Sequence, residues 1–411
     1  MTQNIGEALA VMVRSLVVSH DGDDYVLGRP DLGVYVSVPE PGAVLIEELQ
    51  DGATLSEATA RASAVAGADV DGEDFLHDLS ESGLLDTDAA GVADDADDRS
   101  TGRRIRWIEG VREQTAKRLF GRVAWTAYIL AAALAATVLI ARADLRPSFQ
   151  DFWWLPDPIL SMLTLYPLGL VLAALHESWH WLAGRAVGVP AVFRVSYRSA
   201  FLVFETDLTQ IVAIPRRKRY SPFLAGIAFD FVVLTAVLLL RLSDREGLLA
   251  LPSPVDSLLA ALVLLQILVI AWQFFAVFMR SDIYAVLANA LHCHDLYRAT
   301  WLTTKKRLWR LNDQEANELA TISDHDRHVA RYFGVAYVAG MLAVLWFLLT
   351  YVIPFMIEVI RWVGGNLLDP DPTSWSFWSS LAAVLLVVGQ RVVPLLLAIR
   401  ERRLRRAQIL R

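Results

Sequence analysis

Leu168-Gly169-Leu170-Val171-Leu172-Ala173-Ala174-Leu175-His176-Glu177-Ser178-Trp179-His180-Trp181-Leu182-Ala183-Gly184 is an apolar run with three ionisable side chains inside it. His176, Glu177 and His180 stand in the order H-E-x-x-H. On a helix, residues four apart share a face, so the two imidazoles lie one turn apart on the same side. Two neutral imidazoles so placed can hold a Zn²⁺ ion, and Glu177 beside them can activate water as a base. Isolated strings of this kind also arise by chance. Two imidazoles and a carboxylate inside a hydrophobic helix are costly unless used, however, which favours a site over a polar cluster that only packs helices together.

The chain around this helix is membrane-like. Its 411 residues exceed one ordinary core, and apolar residues concentrate after Arg122 in runs that reach the ~20 residues needed to cross a bilayer. The expected spans lie near 123–141, 159–187, 222–240, 255–279, 333–353 and 377–399. The fold class expected is therefore mainly α: a six-span helical membrane protein with a small α+β, winged-helix-like N-terminal domain. Between the second and third spans, Val192 to Tyr197 and Phe201 to Glu205 read as a β-hairpin. Basic residues flank the spans at Arg118 and Arg122, at Arg216-Arg217-Lys218-Arg219, at Lys305-Lys306-Arg307 and in the run from Arg400 to Arg411. By the positive-inside rule these flanks are cytoplasmic. Six spans put both termini on that side of a multi-pass cell-membrane protein. The run at Arg216 also suits contact with anionic membrane lipid.

The net charge of −7 is concentrated toward the acidic front of the chain. Cys293 is the only cysteine, which excludes an intrachain disulfide and a cysteine zinc cluster. The first 20 residues lack the long apolar core of a secretory signal peptide.

Residues 1–85 read as a peptide-binding α+β domain, 86–102 as an acidic linker and 103–411 as the membrane domain. Tyr25 to Arg29 and Gly33 to Val38 are short strand-like runs. Helices are expected from Pro41 to Gln50, from a capping box at Thr54-Leu55-Ser56-Glu57 to Ala66, and from Asp69 to Ser82. Asp94-Asp95-Ala96-Asp97-Asp98 has no apolar face and is expected to stay solvated. The strand pair, the helix closed by Asp51-Gly52, the Leu55–Ala66 helix and the final Ser82-Gly83-Leu84-Leu85 resemble PqqD-like domains, which bind leader peptides. The resemblance implies a winged helix whose edge strand takes up a peptide by β-augmentation. A generic regulatory or packing domain is the alternative. Nucleic acid is disfavoured as a partner because the module is acidic.

Leu175-His176-Glu177-Ser178-Trp179-His180, followed by Ala183-Gly184-Arg185-Ala186-Val187-Gly188-Val189-Pro190, resembles the site-2 protease family of intramembrane zinc metalloproteases. The resemblance is to its peptide zinc metalloprotease branch. Thr206-Asp207-Leu208-Thr209, Leu224-Ala225-Gly226 and Ser281-Asp282-Ile283-Tyr284 keep the order and spacing of that branch. It implies a third zinc ligand, which carries onto Asp282, although the family's Asp-Gly is here Asp282-Ile283. The family's Gly-Pro-x-x-Asn appears as Gly226-Ile227-Ala228-Phe229-Asp230. Asp230 thus stands where an amide usually positions substrate, and is a candidate for that role or for orienting a zinc histidine. Ile283-Tyr284-Ala285-Val286-Leu287 continues apolar, which predicts that the fourth span's helix extends through Asp282.

The activity expected is that of a membrane-embedded zinc metalloendopeptidase. Its catalytic base is Glu177, its ligands are His176, His180 and Asp282, and its cofactor is Zn²⁺. The substrate is a peptide or membrane protein, in maturation or export of a modified peptide. An exporter or peptide-modifying enzyme is the expected partner. The alternative is a non-proteolytic peptide-binding or maturation partner that keeps the fold. A transporter is disfavoured, since no inverted repeat is evident. His292-Cys293-His294 is a weaker metal candidate because neighbours on a helix diverge. His325 and His328 fall in a charged stretch expected to be solvated. Asp230 and Arg391 lie at similar expected depth in their spans, where an ion pair would spare two isolated charges.

Overall fold

The structure is a computed structural model that describes residues 12–21, 24–29, 34–85, 111, 113–189, 191–198, 201–293 and 295–406. The acidic linker 86–102 and His294 lie outside these residues. The protein is mainly helical and forms two compact units. One comprises Met1–Lys117, Trp181–Arg194 and Thr206–Pro222; the other comprises Arg118–His180, Val195–Glu205 and Phe223–Arg411.

In the first unit, β1 (Val17–Asp21), β2 (Asp24–Arg29) and β3 (Val34–Val38) form an antiparallel sheet in sequence order. Its register sets Leu27 between Val18 and Val36. The strand β1 was not expected. It is only five residues long, and Val-Val-Ser-His-Asp is too short for an alternating pattern to emerge. Three helices follow: α1 (Glu40–Gln50), α2 (Leu55–Ala66) and α3 (Gly72–Glu81). The expected capping box opens α2: Glu57 N–H donates to Thr54 Oγ1, and Thr54 N–H donates to the Glu57 carboxylate at 2.9 Å. Leu27, Leu45, Ile46, Ala58 and Leu84 are fully buried together. Each large aliphatic among them contributes about 1.5–3 kcal/mol relative to an exposed side chain. The sheet rests against a 3-10 turn at Thr209–Ala213.

The remaining helices are α4 (Glu113–Leu119), α5 (Arg122–Ala141), α6 (Pro158–Ala186), α7 (Arg216–Arg245), α8 (Ser253–Phe275), α9 (Asp282–Ala290), α10 (Leu296–Leu308), α11 (Asp313–Thr321), α12 (Asp324–Phe347), α13 (Ile353–Leu368) and α14 (Trp375–Arg406). Between α6 and α7, β4 (Val192–Arg198) and β5 (Phe201–Asp207) form the expected hairpin. Among the described residues, five helices are long and apolar enough to cross a membrane: Glu113–Ala141, Pro158–Ala186, Arg216–Arg245, Ser253–Phe275 and Asp324–Leu368. The expected run at 377–399 falls within α14, whose apolar stretch Trp375–Gly389 is shorter than these five.

The fifth helix is longer than its apolar run predicts because α12 and α13 join through a π turn at Leu348–Val352. Pro354 stands two residues past this turn and has no N–H to donate, so one widened turn absorbs the missing bond without breaking the helix. Polar bonds pin the helices where dispersion alone would let them slide. Thr235 on α7 donates to the Ala131 carbonyl of α5 at 2.8 Å. Arg241 and Arg245 of α7 grip Asp256 in the first turn of α8 at 2.8 and 2.7 Å. Gly340 of α12 sits against the end of α8, where an added Cβ would fall 2.4 Å from the Phe275 carbonyl oxygen.

The expected continuation of the fourth span through Asp282 does not occur. The helix α8 stops at Phe275, a 3-10 turn covers Val277–Met279, and Arg280 takes a left-handed conformation at φ 60°. A non-glycine residue pays roughly 1–2 kcal/mol there. Its guanidinium lies 4.3 Å from the centre of the Tyr297 ring, a cation–π contact that offsets part of this strain. Ser281 then caps a new helix, α9, with Asp282 as its first residue. Apolar content alone predicts continuity, because neither Arg280 nor Ser281 carries the Gly or Pro signal that marks a break.

Candidate metal centre

The helix α6 carries His176 and His180 one turn apart, as the spacing requires, and both are buried. Their ring centres are 4.9 Å apart. The Nε2 atoms face each other at 3.2 Å. Asp282, brought in by the break after α8, sets Oδ2 3.2 Å from His176 Nε2 and 3.1 Å from His180 Nε2. The three residues expected to share a metal thus meet in one triangle of donor atoms.

Hydrogen bonds alone satisfy this triangle poorly. Each Nε2 offers a single in-plane position, either a proton or a lone pair, and a carboxylate only accepts. With one proton between the rings, one nitrogen turns a lone pair toward the carboxylate. With both rings protonated there, two N–H groups oppose each other. One short contact stays repulsive in either case, whereas a cation at the centre attracts all three donors. Ligands at about 2.0–2.1 Å in tetrahedral array stand about 3.3 Å apart, close to the edges seen. The donor set fits a zinc-sized ion.

Asp230 of α7, 2 % exposed, accepts a hydrogen bond from His176 Nδ1 at 2.8 Å. Because a carboxylate only accepts, the bond calls for a proton on Nδ1, and a neutral His176 then turns its Nε2 lone pair to the triangle. This hydrogen bond is the contact that the second of the two candidate roles of Asp230, orienting a zinc histidine, would require. The Arg391 side chain, its other expected partner, lies outside the described residues. Gly226, one turn before Asp230 on α7, faces both rings. A Cβ added there would fall 2.3 Å from each Nε2. Only glycine keeps this side of the triangle open.

Two residues that sequence reasoning passed over complete the site. Gln273, in the last turn of α8, accepts the Asp282 N–H on Oε1 at 3.0 Å. Its carbonyl oxygen accepts the Ser281 hydroxyl at 2.7 Å. Gln273 thereby fixes the turn that delivers Asp282. Gln266 lies seven residues earlier, on the same face of α8. The signal was present: two amides at helical spacing in an apolar run are costly unless used.

A cleft of about 320 Å³ opens beside the triangle. His176, Glu177, Asp230, Gln266 and Gln273 supply its polar groups. The Glu177 carboxylate lies within 4.8 Å of a ring nitrogen of each histidine. The cleft lies at the low end of the ~300–1,000 Å³ typical of ligand sites, enough for a peptide segment and a water.

Elsewhere, Cys293, His325 and Asp326 also bring ligand-type atoms within 4.8 Å of one another. His325 Nε2, however, donates to the Leu291 carbonyl at 2.8 Å, and Asp326 Oδ2 accepts the Asp295 N–H at 3.1 Å. Comparison with known family models, curated proteins and solved structures returned no match.

Proposed function

We propose that this protein is a membrane-embedded zinc metallopeptidase of the kind its H-E-x-x-H segment resembles, cutting a peptide bond in a peptide or membrane-protein substrate. The observation that carries this reading is the triangle of His176, His180 and Asp282 donors at 3.1–3.2 Å, with Glu177 and a cleft beside it. Zinc held there would supply Lewis acidity and make water acidic enough to ionise near neutral pH. His176 and His180 would offer Nε2 lone pairs, the first kept in the right tautomer by Asp230. Glu177 would take a proton from the attacking water and return it to the leaving amine. The apolar walls would limit bulk water, so proton transfer stays with Glu177.

In the same reading α14 supplies the sixth span, and both termini face the cytoplasm of the cell membrane. The N-terminal sheet, whose edges are β1 and β3, would take up a leader peptide as an added strand in a PqqD-like manner.

The test pairs metal analysis of purified protein with a Glu177→Gln variant and peptide-release assays on small peptides encoded beside the chain. Wild type is expected to hold about one zinc per chain. Glu177→Gln is expected to keep the zinc and lose at least ~10²-fold in turnover. Full turnover in the variant, or no metal in wild type, would refute the reading. Peptide binding with no turnover in wild type would favour the non-proteolytic partner instead.

A further inference from the structure

We infer that Gln266 positions the substrate: its side-chain carbonyl accepts a hydrogen bond from a backbone N–H of a peptide lying extended in the cleft beside His176 and Glu177. This role presupposes the peptidase reading above and gives it a substrate-binding group that it otherwise lacks. Gln266 is deep in α8, roughly 13 Å or more from either end at ~1.5 Å per residue. It is 2 % exposed, and among the described residues no donor reaches Oε1. Buried acceptors left without a partner are few in folded proteins, and each is destabilising. Packing gives no reason to keep one here, because Leu or Met would fill the same volume without that cost.

The neighbouring polar groups are already committed. Gln273 spends its Oε1 on the Asp282 N–H at 3.0 Å. Asp230 gives Oδ2 to His176 Nδ1 at 2.8 Å, although its position is the one at which the resembling family carries a positioning amide. Gln266 lines the cleft, and its buried Oε1 is left without a donor. Around it the wall is aliphatic and aromatic, with Leu172, Leu265, Val269 and Phe204. A wall of that kind suits a segment with aliphatic side chains, whose backbone N–H is the donor Gln266 lacks. A short extended peptide must shed its water to enter, and the Gln266 acceptor replaces a bond it gives up.

The test uses the full-length, zinc-loaded protein in detergent and N-acetyl-leucyl-leucine hydroxamate as probe. It is compared with analogues in which one or the other backbone N–H is replaced by an ester oxygen. In wild type, one of the two replacements is expected to weaken binding about tenfold, the size of one buried hydrogen bond. In Gln266→Met the amide and that ester are expected to bind alike, at the weaker level. Gln266→Glu keeps an acceptor and is expected to restore part of the difference. The melting temperature of metal-free Gln266→Met is expected to equal or exceed that of wild type, because the vacant acceptor is gone.

An equal amide-to-ester loss in wild type and Gln266→Met would overturn the role. So would a lowered melting temperature with both probes weakened together, which marks a structural residue. Failure of the peptidase reading is recognised separately: the wild-type protein would carry no zinc and bind no hydroxamate, whatever stands at position 266.

Discussion

Among the described residues, two clusters bring histidine and other ligand-type atoms within 4.8 Å of one another, and their polar atoms are bonded differently. Around Cys293, His325 and Asp326, the polar atoms serve the helix ends beside them. His325 donates to the carbonyl of Leu291, the residue that closes α9, and Cys293 donates to the same oxygen at 3.6 Å. Asp326 accepts the N–H of Asp295, the cap of α10. The chain between these helices passes through His292 at φ 59°, so the cluster repairs a tight turn. Around His176 and His180, the Nε2 atoms point at each other and at Asp282, where protons alone leave one contact repulsive. Proximity of ligand types is common. What separates a metal centre from a cap is whether the lone pairs are already spent on backbone.

The largest test of this contrast exchanges one histidine at each cluster. His180→Ala is expected to abolish zinc retention through purification. His325→Ala is expected to keep full zinc content and lose only about 1 kcal/mol of stability with its hydrogen bond. Loss of metal from the second variant would erase the distinction. Gly226→Ala should come next. Its methyl would fall 2.3 Å from both Nε2 atoms, so zinc is expected to be lost. The metal-free protein is expected to lose stability as well, because overlap with two buried rings outweighs the roughly 0.5–1 kcal/mol that a better helix former contributes. A variant that binds zinc normally would show that the rings do not face Gly226.

Asp230→Asn sharpens the comparison rather than breaking it. An amide can still approach Nδ1 but no longer enforces the tautomer, and zinc affinity measured by chelator competition is expected to fall about 10–100-fold. The smallest effect lies beside the second cluster, outside the membrane spans. Glu318 is held below the usual carboxylate range by its hydrogen bonds from Arg298. Glu315 is held down by Lys305 first and by the Asn312 N–H second. A carboxylate whose folded pKa is lowered stabilises above its unfolded pKa and loses that contribution as pH falls through the folded one. Thermal stability is thus expected to decline modestly as pH drops below ~4.3, and less in high salt because both pairs are only partly buried. A stability that rises over that interval would contradict these pairs.

Much of the site was legible in the chain itself. Histidines four apart in an apolar run meet on one helix face in any helix, so the pairing of His176 with His180 needed no tertiary information. The capping box at Thr54 was equally local. The strand β1 was not legible, because five residues with two valines at one end carry no alternation, and only pairing with β2 makes them a strand. Gln266 and Gln273 stood in plain view at helical spacing, and their cost in an apolar helix was a usable signal.

The sequence by itself determined the membrane-like helices, the histidine pair and the acid beside it, because periodicity and burial cost act within one segment. Only the tertiary structure decided how Asp282 arrives and which partner Asp230 takes. The first depends on a break at Arg280, held by Gln273 in the last turn of α8 and by the Tyr297 ring on α10. The second depends on the rotation of α7 about its axis, which turns Asp230 toward His176. Both are set by packing between helices distant in sequence, where a residue's own type says what bond it needs but not which neighbour supplies it.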